Sequence, residues 1–253
     1  MRITTLGTSH GDPTYCRFNS SNLIEIAEAS YLIDAGAPVD ALLVRANKEL
    51  KRIRAVFVTH MHGDHVAGIT TLIKILLKYP AAGQHTEIFL PEAEAYPALG
   101  EWLRAMHLKW PSPLISTNVS RPGQVYADDL VTVSTVTTRH MENVDKTFGC
   151  GYIIEGEGRR VIFTGDLKGD FSDFPRVIRD EPFDLCFCEM THFKPEVALP
   201  ILKECPIRRL VFTHIHNPWH GEGEQTLREI LSPLPYPFEI AHDGDVFHLE
   251  KSG

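Results

Sequence analysis

The sequence predicts an α/β fold, and three observations carry that prediction. Short β-rich runs alternate with helical patterns almost to the end of the chain, and no linker or low-complexity stretch separates them. The hydrophobic fraction is 43% over 253 residues, enough for one large core. Helices covering the outer faces of sheets accommodate this order, so residues 1–253 are expected to form a single compact domain.

Taken in order, the β-branched and apolar runs at 3–6, 21–26 and 30–33 read as strands. The helical recurrence of apolar positions over 38–50 follows, opened by a proline, which a first helical turn tolerates. A strand at 55–59 leads into an amphipathic helix at 65–78, and a strand at 87–90 into a helix at 91–107. The alternating run at 130–138 gives a strand, and 151–155 and 160–164 give two more across a short turn. Helices at 171–180, 195–203 and 225–231 then alternate with strands at 185–189 and 209–213, and strands at 238–241 and 245–249 close the chain.

A net charge of −8 offers no broad attraction to polyanions. A small or short substrate is therefore expected in place of a long nucleic acid. No basic head with an apolar run and cleavage site opens the chain, and no run reaches the length of a membrane span, so the cytoplasm is the expected location and no membrane partner is expected. A homodimer is left open. The five cysteines match no zinc-knuckle spacing, and Cys186 and Cys188 alternate with Phe187 as reduced thiols lining one face of a buried strand do.

One regularity turns organisation into chemistry. Four apolar runs stop at a metal-ligand type of residue: AVFVT before His60, VTVSTVTTR before His140, VIFTG before Asp166 and LVFT before His214. Open α/β sheets bind ligands beyond the carboxyl ends of their strands. The densest stretch is His60-Met61-His62-Gly63-Asp64-His65. In extended backbone, positions two apart point the same way, so His60 and His62 reach a common point, and Gly63 permits a turn that redirects Asp64 and His65. Imidazole and carboxylate donors without a thiolate suit zinc, iron or manganese at a site open to water. Burying so many polar groups together is costly unless something coordinates them. A fainter feature is the echo of VFVTHMH at 56–62 in VFTHIH at 211–216, for which a duplicated half and chance are equally good explanations.

These residues resemble the metallo-β-lactamase superfamily: HxHxDH at 60–65, a lone later histidine at His140, a TGD turn at Asp166 and a last histidine at His214 after another strand. The resemblance runs over nearly the whole chain and implies a four-layer αββα sandwich, two mixed sheets with outer helices. It implies that His60, His62, His140 and Asp166 hold one divalent cation and Asp64, His65, Asp166 and His214 a second, with Asp166 bridging. Zinc is the foremost candidate, manganese or iron the alternatives. Such a pair, ~3.5–4 Å apart, lowers the pKa of a shared water and clamps attacking and leaving oxygens. The implied activity is hydrolysis by a hydroxide that both ions hold, with Asp64 in the catalytic set.

The opening LGTSHGDPTYCRFNSS and the stretch from His192 through VFTH to AHDGD are similar to the phosphodiesterase branch typified by ribonuclease Z. Spacing back from His214 puts His192 where that branch has a catalytic histidine. An alkoxide leaving group needs a proton, which an imidazole supplies near neutral pH. Glu196, on the helix that follows, is expected to orient or charge that imidazole. Arg17 in the first turn and His216 and His220 after the last ligand are the candidates for binding substrate, with Trp219 and His10 near them and His242 as a support for the ligands. His85, His107 and His248 are read as structural. The stretch between His140 and Asp166 leaves room only for a short hairpin, so the arm with which many ribonuclease Z enzymes grip tRNA has no place. A small phosphodiester, such as a cyclic nucleotide or an oligonucleotide end, fits better. The nearest alternative is a lactonase or thioesterase with the same metals. A β-lactamase fits less well, lacking an export signal and a cysteine in place of Asp166, and oxygen-reducing diiron members typically have Glu where His62 stands. A non-catalytic binding module should have lost a ligand, and all seven are present.

Overall fold

The structure, a computed structural model, describes residues 1–144 and 148–251. One sheet contains β1 (Arg2–Gly7), β2 (Ser21–Ile26), β3 (Ala29–Ile33), β4 (Ile53–Phe57), β5 (Thr86–Leu90), β6 (Ile115–Val119) and β14 (Val246–His248), in the order β14-β1-β2-β3-β4-β5-β6. The other contains β7 (Gly123–Ala127), β8 (Thr132–Thr138), β9 (Gly149–Gly156), β10 (Arg159–Phe163), β11 (Leu185–Met190), β12 (Leu210–Ile215) and β13 (Phe238–Ile240), in the order β13-β12-β11-β10-β9-β8-β7. Both sheets are mixed. β3 through β6 run parallel and β14 through β3 antiparallel, while β10 through β13 run parallel and β7 through β10 antiparallel.

Period-two alternation decides the layering. On β4, Ala55 and Phe57 enter the core between the sheets, whereas Val56, and Val58 just past the strand's end, meet the helices outside. On β11, Leu185 and Phe187 face the partner sheet, whereas Cys186 and Cys188 lie outward under helices. Those thiols are free and fully buried, the structural role their alternation predicts. Helices α1 (Val39–Arg45), α3 (Ile69–Lys78) and α4 (Ala95–Ala105) cover the first sheet. Helices α5 (Arg176–Asp180), α6 (Pro195–Leu202) and α7 (Gly223–Leu231) cover the second, completing the αββα sandwich. Among the described residues, no helix is long and apolar enough to cross a membrane.

The expected helix at 65–78 is broken. A short α2 (Gly63–Val66) precedes α3, and between them the Gly68 N–H donates to Ala35 O at 2.8 Å. A Cβ at Gly68 would stand 2.8 Å from that same oxygen, so glycine is required where the helix pair meets the loop after β3. The helix expected at 38–50 ends at Arg45, with a separate 3-10 turn at Leu50–Arg52, and that at 171–180 shrinks to α5. Two strands were not expected, β6 and β7. Each lies at the edge of its sheet and carries polar residues (ISTNV and GQVYA), so the apolar signal of a strand buried on both faces is missing.

Candidate metal centre

The carboxyl ends of β4, β8, β10 and β12 lie on one rim, because two successive antiparallel pairings give β8 the direction of β10. Leaving β4, the chain places His60 and His62 in extended backbone and then Asp64 and His65 on α2. His140 follows the end of β8 after one intervening residue, Arg139. Asp166 follows β10 through Gly165, whose φ of +62° and whose approach to the Cys150 carbonyl exclude a side chain. His214 is the extra residue of a bulge, since Glu189 pairs with Thr213 and Met190 with Ile215, and its φ is +52°. A bulge re-aims a side chain, here into the rim. The Thr191 hydroxyl holds this strained residue by donating to the His214 carbonyl.

Asp166, 2% exposed, is the hub. Its Oδ2 is 3.5 Å from His60 Nε2, 3.5 Å from His214 Nε2 and 3.8 Å from His140 Nε2, and its Oδ1 is 3.3 Å from His65 Nε2. Asp64 Oδ2 is 3.4 Å from His65 Nε2 and 3.7 Å from His214 Nε2. His62 Nδ1 is 2.9 Å from His60 Nε2 and 3.3 Å from His140 Nε2. Ligand atoms thus gather as His60, His62, His140 and Asp166, and as Asp64, His65 and His214. All seven residues expected as ligands are brought together.

The far side of each buried ring is held. Thr59 Oγ1 stands 3.1 Å from His60 Nδ1, Ser20 Oγ stands 3.1 Å from His214 Nδ1, and His65 Nδ1 donates to Asp34 Oδ2 at 2.8 Å. Such partners fix the tautomer and aim Nε2 inward. Asp34 also accepts from Thr59 N at 2.8 Å, tying the β3 end to the β4 end. Burial holds His60, His62 and His214 below the usual imidazole range, in the neutral form a ligand needs. Burial also lowers His65, but Asp166 and Asp34 outweigh it and raise the ring well above its ordinary value. The imidazoles of His214, His65 and His60 overcome burial at Asp166 and hold its carboxyl well down.

The arrangement calls for cations. His65 Nε2 and Asp166 Oδ1 are buried with no hydrogen-bond partner, and unpaired polar atoms at such depth are costly. His60 Nε2, His62 Nδ1 and His140 Nε2 meet lone pair to lone pair unless a proton or a cation lies among them. Imidazole and carboxylate donors fit a divalent metal.

His192 stands beside the hub, its Nδ1 3.7 Å from Asp166 Oδ2. Although His192, Asp166 and His214 are close enough to share an ion, that nitrogen donates to Glu189, 2.9 Å from Oε1. Burial lowers the His192 pKa, but Glu189 overcomes it and pushes the ring up to about 9. The partner of His192 is therefore Glu189 and not Glu196, which is exposed in the first turn of α6, where the helix points it away. Arg17 is corrected as well. It is 2% exposed and turned inward, its Nη1 donating to Thr8 Oγ1 at 2.7 Å and to the Ala241 carbonyl, so it braces the first loop and presents nothing to a substrate. His242 supports no ligand, being half exposed with Nε2 2.9 Å from Glu224 Oε2. His216 and His220 lie on the rim beside His10, at ring separations of 5.6 and 6.1 Å from it, and His220 Nε2 donates to Ile215 O at 2.8 Å.

Asp34 and Glu189 were not singled out from the sequence. Each nonetheless ends an apolar run, in YLID and LCFCE, which is the pattern that marked the ligands.

Residues 30–215 match the Beta-lactamase superfamily domain. A ribonuclease Z from Cyanothece sp. is 33% identical over 150 residues, 55% of this chain and 43% of the relative, so the match spans less than half of that protein's length. The metallo-beta-lactamase fold protein YhfI from Bacillus subtilis superposes with a TM-score of 0.77 at 20% identity, over 97% of this chain and 98% of its own. The short form of human tRNase Z superposes with a TM-score of 0.75 at 20% identity, over 99% of this chain and 100% of its own.

Proposed function

Since the chain belongs to the metallo-β-lactamase superfamily and is similar over 55% of its length to a ribonuclease Z, we propose that it is a metal-dependent phosphodiesterase acting on a small or short nucleotide-type substrate. In this reading His60, His62, His140 and Asp166 hold one divalent cation, zinc foremost, and Asp64, His65, His214 and Asp166 a second. When bound, such a pair supplies an activated water and neutralises charge on the phosphoryl oxygens. The chain's own residues do the rest. Asp34, Thr59 and Ser20 keep three ring nitrogens turned inward, and Asp64 supplies the acceptor to which an attacking water gives its proton. His192, protonated through its bond to Glu189, donates a proton to the leaving alkoxide.

The observation that carries the phosphodiester reading is that Glu189–His192 pair, 3.7 Å from the shared carboxylate. An acyl hydrolase forming a good leaving group has less need of a buried acid there, whereas an alkoxide leaves slowly without one. The stretch between His140 and Asp166 supports a short substrate, since its β9 and β10 pair as a hairpin within the sheet. Activity should be compared on a bis-aryl phosphate, a cyclic nucleotide and a lactone with the metal-loaded protein and Asp166→Ala. The expected result is preference for a phosphodiester, abolished in the variant. Preference for the lactone would overturn the reading in favour of acyl hydrolysis.

A further inference from the structure

Among the described residues, His140 and His62 are the ligand-type histidines whose rings have no hydrogen bond from outside the cluster. His60, His65 and His214 each have Nδ1 held from behind. His140 also sits in the loop between β8 and β9, where no strand pairing fixes it. Its place must be set through its backbone.

One buried carboxylate is built to do this. Asp173, 8% exposed, accepts from the Arg139 N–H at 2.6 Å through Oδ2 and from the Lys168 N–H at 2.9 Å through Oδ1. The first donor immediately precedes His140, and the second lies two residues beyond Asp166. Both oxygens of one side chain thus bind the two loops that bring His140 to Asp166. The carboxylate is itself immobilised, because Phe171 and Phe174 on either side are buried and stacked 4.5 Å apart, and Phe171 meets Phe193 at 4.5 Å. Charge-assisted bonds to backbone N–H groups are among the stronger hydrogen bonds in proteins.

We infer that Asp173 is a positioning residue that fixes His140 against Asp166 and so governs how firmly the His60, His62, His140 and Asp166 group holds its cation. The inference rests on the two-cation reading above. It adds a residue outside the ligand set whose loss is selective for one of the two ions.

Asp173→Asn keeps shape and volume but turns an N–H2 toward one of two N–H donors, replacing an attraction by a repulsion. Zinc affinity is read by chelator competition on the folded protein, beside His140→Ala and Ser172→Ala; the Ser172 hydroxyl accepts from the Arg139 side chain at 2.7 Å and donates to Asp170 Oδ1 at 2.6 Å, so its loss leaves both backbone bonds of Asp173 in place. In Asp173→Asn one ion is expected to bind about 10- to 100-fold more weakly, the range for losing a supporting partner, and the other as in wild type. His140→Ala should weaken the same ion, adding Asp173→Asn to it should weaken that ion no further, and Ser172→Ala should match wild type. Two ions bound as in wild type by Asp173→Asn, or both weakened alike, would overturn the role of Asp173. A wild-type protein that takes up no zinc would overturn the metal reading itself, a different result from wild type with two ions and an unaffected variant. Should Asp173→Asn not fold, hydrogen exchange in the zinc-loaded wild type decides: slow exchange at the Arg139 and Lys168 amides is expected, and fast exchange contradicts the clamp.

Discussion

Glu189 does three jobs with one carboxylate. It accepts from Leu167 N at 2.6 Å, next to the shared aspartate, from Thr191 N and His192 N at 2.9 and 3.0 Å, and from the His192 ring. The pair therefore sets both the direction and the charge of the proposed acid. Removing His192 should cost about 10²–10⁴ in kcat where the leaving group is an alkoxide. The loss should be far smaller on a p-nitrophenyl ester, whose leaving group needs no proton, and equal losses on both would contradict the assignment. The pH profile gives a second check. An acid works while protonated, so activity falls as pH rises through the His192 pKa, which Glu189 holds up near 9. Glu189→Gln removes the charge that raises it, and the alkaline limb is expected to move to lower pH; an unmoved limb would assign it elsewhere. The sequence shows His192 but not its partner. A helix places i and i+4 on one face, which favoured Glu196, yet His192 lies in the turn before α6, where that rule has no hold. Arg17 misled for a similar reason, since a sequence motif does not say which way a side chain turns.

At the scale of the element, the rim depends on how α2 and α3 meet the loop after β3. The Ala35 N–H donates to His65 O at 2.7 Å, and Ala35 O accepts from the Gly68 N–H at 2.8 Å. Gly68→Ala would drive a methyl to 2.8 Å from that carbonyl, and overpacking of this kind costs about 1–3 kcal/mol. A urea denaturation midpoint unchanged in that variant would show that the contact is softer than the geometry implies. The break between α2 and α3 was hidden because Gly68 lies within a continuous amphipathic pattern, and its close approach belongs to the tertiary fold. Strands buried on both faces were legible from their unbroken apolar runs, and the ligands from where those runs stop. The edge strands β6 and β7 were not, since half their surface meets no core.

At the scale of the whole molecule, the two sheets repeat one pattern: three antiparallel pairings and then three parallel ones, read from β14 to β6 and from β7 to β13. The short echo between VFVTHMH and VFTHIH is not the trace of that repeat. It pairs β4, fifth in its sheet, with β12, sixth in its own. The candidate centre draws His60, His62, Asp64 and His65 from the first sheet and His140, Asp166 and His214 from the second. Cations shared across that seam would cross-link the layers of the sandwich, because metal bound only by the folded chain stabilises it. The central claim is that Asp166 joins two cations, and zinc content per chain tests it most directly, measured at equilibrium on wild type and Asp166→Ala. Two zinc ions per wild-type chain are expected, with both held more weakly in the variant. A folded wild type that takes up none, or an Asp166→Ala protein that retains both with undiminished affinity, would contradict it.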